Sequence, residues 1–193
     1  MSTPDYLVST HDLTDAELES SYEPIGRFIT AHTQLDLLVG RMLAAFVGLD
    51  DHLFADHLIH SVESGRKKQM LDAIATIFKA DPLGIIEGYV PNPDLHGRIK
   101  SFALRYEDAT KRRNVLCHGT FGRNQNRVLV GSVSAERLFR NDGARSSWVF
   151  IDELPRLMND LMATLSDGKS LQGDFARAHV KLGYASKPHA DHP

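Results

Sequence analysis

An apolar stripe that steps along the chain by fours and threes and then meets an arginine constrains this sequence more than any other feature. Leu95, Ile99, Phe102, Tyr106 and Ala109 recur at the spacing that puts side chains on one face of a helix. The next position on that stripe is Arg113. A guanidinium is costly away from water unless an anion or a hydrogen-bonding group meets it, so a partner is expected opposite Arg113. Gly119 then stops the helix, as the residue type that takes the left-handed conformation cheaply at a C-terminus. His118 therefore falls in the last turn. Asn114 and His118, four apart, share a face, and Arg113 lies about 140° round the helix from His118, with a side chain long enough to reach it. The three can converge on one small ligand. The helix C-terminus favours an imidazolium while Arg112 and Arg113 oppose it, which leaves a histidine able to switch near neutral pH.

The remaining helices follow from the same periodicity. From Pro24, the residues Ile25, Phe28, Ile29, Leu35, Val39, Met42, Leu43 and Phe46 line one face, widened by Leu37, Leu38 and Val47, and predict a central helix. His32 and Asp36 sit on this stripe four apart. The favoured reading is a satisfied structural pair over a direct catalytic role, with a middle reading in which one of them supports Arg113 across the bundle. Ser64 is the candidate cap of a helix whose inward face carries Lys67, Met70, Leu71, Ile74, Ile77 and Phe78. Its basic start, Arg66-Lys67-Lys68, opposes the helix dipole and reads as solvated or as a phosphate contact. Asp152 caps a last helix with Pro155 in its first turn, buried through Leu154, Leu157, Met158, Leu161 and Leu165 and ended by Ser166-Asp167-Gly168.

Between these helices the period shortens towards two. Thr120–Arg123 and Arg127–Val130 read as a hairpin turned at Asn124-Gln125-Asn126, Ser146–Phe150 as a third strand, and Asn141-Asp142-Gly143 as the turn before it. Asp81-Pro82-Leu83-Gly84 and Pro91-Asn92-Pro93 bound a short connector around residues 85–90. The expected fold is thus mainly α, a helical bundle with a small hairpin or three-stranded sheet after the arginine-bearing helix. Residues 1–23, with a capping-like Thr14-Asp15-Ala16-Glu17, read as loosely ordered with at most a short helix. Residues 24–167 read as one helical domain with a β insertion at about 120–150, and 168–193 as a polar tail.

Arg113-Asn114-Val115-Leu116-Cys117-His118, an arginine, a polar residue and then a histidine at the end of a long helix, resembles the signature of the HEPN domain (higher eukaryotes and prokaryotes nucleotide-binding). The apolar helix from Ile25 and the Arg66-Lys67-Lys68 helix start are similar to that family's helical bundle, and the resemblance spans roughly residues 25–165. It implies a metal-independent endoribonuclease whose Arg-His sites meet across a homodimer. His118 would then act as general base or acid, Arg113 would stabilise the phosphate, and Asn114 would orient either, with Arg112 and Lys111 holding the backbone. A twin helix would also answer the arginine on the apolar seam. In the branch controlled as a toxin by a partner nucleotidyltransferase, a tyrosine stands two positions after the histidine. Here that residue is Thr120, so a cognate antitoxin is implied only at the level of the family. The other class of reading is a non-catalytic nucleotide- or RNA-binding module, in which the same residues lock a helix end or hold a ligand without turnover.

The net charge of −3 argues against a general nucleic-acid coat, so any RNA contact must rest on a local patch. Arg98, Lys100, Arg105, Lys111, Arg112, Arg113, Arg123 and Arg127 supply one in sequence, with ion-paired helix faces the plainer reading. With Cys117 the only cysteine, neither an intrachain disulfide nor a cysteine-based zinc site is available. His52, Asp56, His57 and His60 have spacings a metal could use but no accompanying motif, and they read as surface histidines. No cofactor and no metal are expected. Without a leader pattern or a long apolar run, the chain reads as cytoplasmic and away from the membrane.

Overall fold

The computed structural model describes residues 13–46, 61–80, 93–124, 127–132 and 147–181. These residues form four helices and a small sheet: α1 (Asp15–Phe46), α2 (Ser64–Ala80), α3 (Pro93–His118), β1 (Thr120–Asn124), β2 (Arg127–Ser132), β3 (Ser147–Phe150), a 3-10 turn at Ile151–Glu153 and α4 (Leu154–Lys181). The protein is mainly helical, with a three-stranded antiparallel sheet in the order β1-β2-β3. It divides into two compact units, and the chain passes between them at Leu35/Asp36, Arg105/Tyr106 and Leu165/Ser166. The turn at 141–143, the connector at 85–90 and the histidines at 52, 57 and 60 lie outside the described residues.

α1 starts earlier than the periodicity predicted. The Thr14 backbone N–H donates to Glu17 Oε2 at 2.9 Å, and the Glu17 N–H returns to Thr14 Oγ1 at 3.3 Å. This reciprocal box satisfies amides that a helix start otherwise leaves open. The expected short helix at most is therefore corrected to one continuous element through Pro24. Pro24 removes one donor from the ladder, and Ser21 and Ile25 on either side of it are buried.

In the first unit, Ile25, Phe28 and Leu35 of α1, Tyr106, Ala109, Val115 and Leu116 of α3, Leu129 and Val130 of β2, Val149 of β3 and Leu154, Leu157 and Leu161 of α4 are buried. The sheet register pairs Phe121 with Val130 and Gly131 with Trp148. The Trp148 ring lies where a Cβ on Gly131 would be, so glycine here makes room for the cross-strand aromatic. Arg127, at the start of β2, grips the turn before α4 with Nε to Asp152 Oδ2 at 2.8 Å and Nη2 to Asp152 Oδ1 at 2.7 Å, and its guanidinium lies 3.8 Å from the Phe150 ring centroid. Arg127 holds the Asp152 carboxyl below the usual carboxylate range, against a smaller opposing effect of burial.

A depressed carboxylate pKa stabilises the fold above the ordinary carboxylate range, and the effect fades as pH falls through the folded value. Asp152→Asn should therefore be slightly less stable than the wild type at neutral pH and indistinguishable from it in strong acid. Thermal unfolding of both across that range checks the sign; a gap persisting in strong acid would show that the contribution is not ionic.

In the second unit, Leu38, Val39, Met42 and Leu43 of α1, Leu71, Ile74 and Phe78 of α2, Leu95, Ile99 and Phe102 of α3 and Leu171 of α4 are buried. Met70 and Ile77, expected inward, are 39% and 41% exposed, because the buried face of α2 is centred on Lys67, Leu71, Ile74 and Phe78 and takes in Ala75 on the side away from Met70 and Ile77. Ser64 does not cap α2. The Arg66 and Lys67 amides bond the Glu63 carbonyl, and the Ser64 hydroxyl donates to Asp36 Oδ1 at 3.1 Å.

α4 also overruns its expected end. Gly168 lies inside the helix, and a Cβ there would come within 2.7 Å of Leu38 Cδ2 and 2.9 Å of the Phe102 ring. This glycine is a packing residue and not a stop. Gly168→Ala should lose about 1–3 kcal/mol from overpacking, outweighing the roughly 1 kcal/mol alanine gains in a helix. Gly26→Ala on α1, where nothing lies within 4 Å of an added Cβ, should instead gain about 0.5–1 kcal/mol. Denaturant midpoints of the two variants should move in opposite directions; the same direction in both would refute the packing account.

Candidate functional site at the end of helix α3

The stripe of α3 runs as its spacing predicts. Leu95, Ile99, Phe102, Tyr106 and Ala109 are all buried, and Leu116 resumes the seam beyond Arg113. Arg113 is half-buried in between. Its Nη1 donates to Asn114 Oδ1 at 2.8 Å, and its buried Nε has no hydrogen-bond partner. The group that meets Arg113 is thus a neutral amide, which accepts a hydrogen bond without cancelling the charge. Asn114 accepts from Arg113 through one lone pair of this oxygen and keeps the other, with its Nδ2 donors, for a ligand.

The neighbouring cations differ. Lys111 pairs with Glu107 at 2.7 Å and Arg112 with Asp108 at 2.8 Å, each one helical turn back. Among the described residues no carboxylate pairs with Arg113. The rest of the basic patch is largely neutralised within its own units: Arg98 by Asp174 at 2.7 Å, Arg105 by Asp167 at 2.6 Å, and Arg127 by Asp152. Lys100 is exposed, and the side chain of Arg123 lies outside the described residues.

His118 closes the helix with an exposed side chain, beside an exposed Cys117. The turn that follows is held differently from the expected left-handed cap, since Gly119 does not adopt that conformation. Its N–H still bonds the Val115 carbonyl at 2.7 Å, and a Cβ would meet that oxygen at 2.5 Å and the Gly131 carbonyl oxygen at 2.7 Å. Glycine is needed because β2 approaches the helix end closely, which fixes where His118 leaves the helix and where Thr120 begins the sheet.

His32 and Asp36 serve separate places. His32 is buried, its Nε2 is 3.0 Å from Thr110 Oγ1, and its ring stacks on Tyr106. Thr110 donates its own hydroxyl proton to the Tyr106 carbonyl at 2.8 Å, so its oxygen accepts from His32 Nε2–H. His32 thereby anchors α3 one turn before Asn114. Asp36, in the other unit, accepts from the buried Lys67 at 2.6 Å and from Ser64. Two of the three cations at the basic start of α2 are thus answered by protein carboxylates, Lys67 by Asp36 and Lys68 by Asp72 at 2.7 Å, and Arg66 is exposed.

One residue near this helix end carried no signal in the sequence. Tyr22 of α1 is 57% exposed, and its ring meets that of Phe121, three residues beyond His118, edge to face at 6.0 Å. Tyr22 fell in a segment without apolar periodicity, so only the tertiary contact finds it. Among the described residues no group of three or more His, Cys, Asp or Glu could hold a metal, and no helix is long and apolar enough to cross a membrane. No protein-family model, curated protein or solved structure matches the chain.

Proposed function

We propose that the end of α3 binds a phosphodiester and that the protein is a metal-independent endoribonuclease of HEPN type, with two Arg113/His118 sites brought together in a homodimer. The observation that carries this reading is the charge left over at one point. Among the described residues Arg113 is tied only to a neutral amide, while Lys111 and Arg112 beside it each have a carboxylate, and an exposed imidazole follows in the same helix end. A fork of N–H donors without a counter-ion suits the non-bridging oxygens of a phosphate.

RNA supplies its own nucleophile. His118 would take the proton of a 2′-hydroxyl as that oxygen attacks the adjacent phosphorus, and Arg113 would stabilise the charge building on the non-bridging oxygens. The bond to the 5′-oxygen breaks, giving a 2′,3′-cyclic phosphate and a 5′-hydroxyl. The second His118 of a homodimer would protonate the leaving oxygen. Incubation of the protein with single-stranded RNA in excess chelator tests the reading: cyclic-phosphate ends on RNA with DNA left intact are expected, and intact RNA would overturn catalysis.

A second reading, nucleotide or RNA binding without turnover, is favoured by one observation. Among the described residues of one protomer, no hydrogen bond orients the His118 ring, whereas a general base is ordinarily held by a third group. Binding of RNA by a wild type that never cleaves it would select this reading.

A further inference from the structure

The region beside His118 contains an aromatic surface that the phosphate chemistry does not use. Tyr22 keeps more than half of its surface in water, and the Phe121 ring meets it nearly at a right angle. One helical turn further along the same face of α1 lies Gly26, exposed in mid-helix, with nothing within 4 Å of where a Cβ would stand. A helical side chain covers the surface over the turn preceding its own Cα, so a larger residue at 26 would shade the Tyr22 ring. Glycine there costs helix stability and is explained by no packing contact, unlike Gly168. Its effect is to leave room for something flat against Tyr22.

Phe121 is three residues from His118, so their Cα atoms are separated by at most about 10–11 Å. Arg113 lies five residues further back, about 7.5 Å along the helix axis, so a strand whose phosphate sits at Arg113 spans the distance to the aromatic pair in a few nucleotides. Glu19 and Glu23 flank Tyr22 in sequence, and Glu23 is paired with Arg27 at 2.6 Å. Such a setting repels a phosphate but accepts a neutral base. We infer that Tyr22, braced by Phe121 and bared by Gly26, is a stacking platform for one nucleobase of a single-stranded RNA whose backbone is held at the α3 end. This rests on the phosphodiester reading above and adds to it the substrate class: an unpaired strand, since the bases of a duplex are already stacked on each other and offer no free face.

The test uses the full chain and a short single-stranded RNA made non-cleavable by 2′-O-methylation, with its duplex as a second probe, followed by fluorescence anisotropy. Tyr22→Ala and Tyr22→Leu are expected to weaken single-strand binding about ten-fold, the size of one lost base stack, and to leave duplex binding unchanged. Tyr22→Trp should restore binding, and its added indole fluorescence should respond to the oligonucleotide. Gly26→Leu should weaken binding without lowering the thermal midpoint. Wild-type binding by Tyr22→Ala alongside lost binding by Arg113→Ala would overturn the platform and leave the phosphodiester reading standing. A wild type that binds neither probe would overturn both. Failure of Tyr22→Trp to restore binding would assign the loss to structure and overturn the platform.

Discussion

Arg113→Ala and His118→Ala should each lower RNA cleavage by about 10²–10³-fold, the loss typical when one charge-stabilising donor or one general acid-base group is removed. Neither should unfold the protein. His118 is exposed, and substitutions at such positions usually stay within about 0.5 kcal/mol. Arg113 has a buried Nε without a partner, so truncating it also removes an unsatisfied donor, which offsets part of the packing lost from its stem. Arg113→Lys discriminates further. It keeps the charge but loses the planar fork, so cleavage should stay well below the wild type if two phosphate oxygens are gripped together. Unchanged cleavage in both alanine variants, measured in chelator with thermal midpoints recorded alongside, would remove these residues from the mechanism.

Asp36→Ala should lose about 3–5 kcal/mol, because it leaves an ammonium inside the protein with its counter-ion gone. The side chain of Lys67 is 2% exposed and that of Asp36 is 26% exposed, so the lysine has the poorer access to water. Lys67→Met should behave quite differently. It fills the same volume with an apolar chain and leaves Asp36 partly in water and still bonded by the Ser64 hydroxyl, so a change within about 1 kcal/mol of the wild type is expected. Urea midpoints at constant slope compare the two variants directly. Equal losses in both would mean that attraction within the pair, and not the desolvation of Lys67, sets the energy.

The legible part of this protein is what repeats over short distances. The stripe from Leu95 to Ala109 placed α3 correctly and put Arg113 on its seam, since helical spacing depends only on neighbours three and four residues away. The strands around Phe121, Leu129 and Val149 were legible for the same reason, through alternation and the short turn between β1 and β2. The ends of α1 and α4 were less so. Pro24 and Gly168 are both helix breakers by propensity, and here a box at Thr14 and Glu17 and close packing against Leu38 and Phe102 override them.

At the candidate site the division is the same. Sequence alone determined that an arginine, an asparagine and a histidine gather in the last turns of one helix, because the pitch of a helix fixes that geometry wherever the helix lies. Helical spacing alone also pairs Lys111 with Glu107 and Arg112 with Asp108, but only the tertiary structure decided which of the other cations are neutralised. Asp167 and Asp174 come to Arg105 and Arg98 from α4, Asp152 comes to Arg127, and Asp36 comes to Lys67 from another helix, while Arg113 is left with Asn114. An ion pair depends on where two side chains meet in space, and a separation of tens of residues along the chain leaves no periodic trace of that meeting. Tyr22 beside Phe121 belongs to the same class of fact.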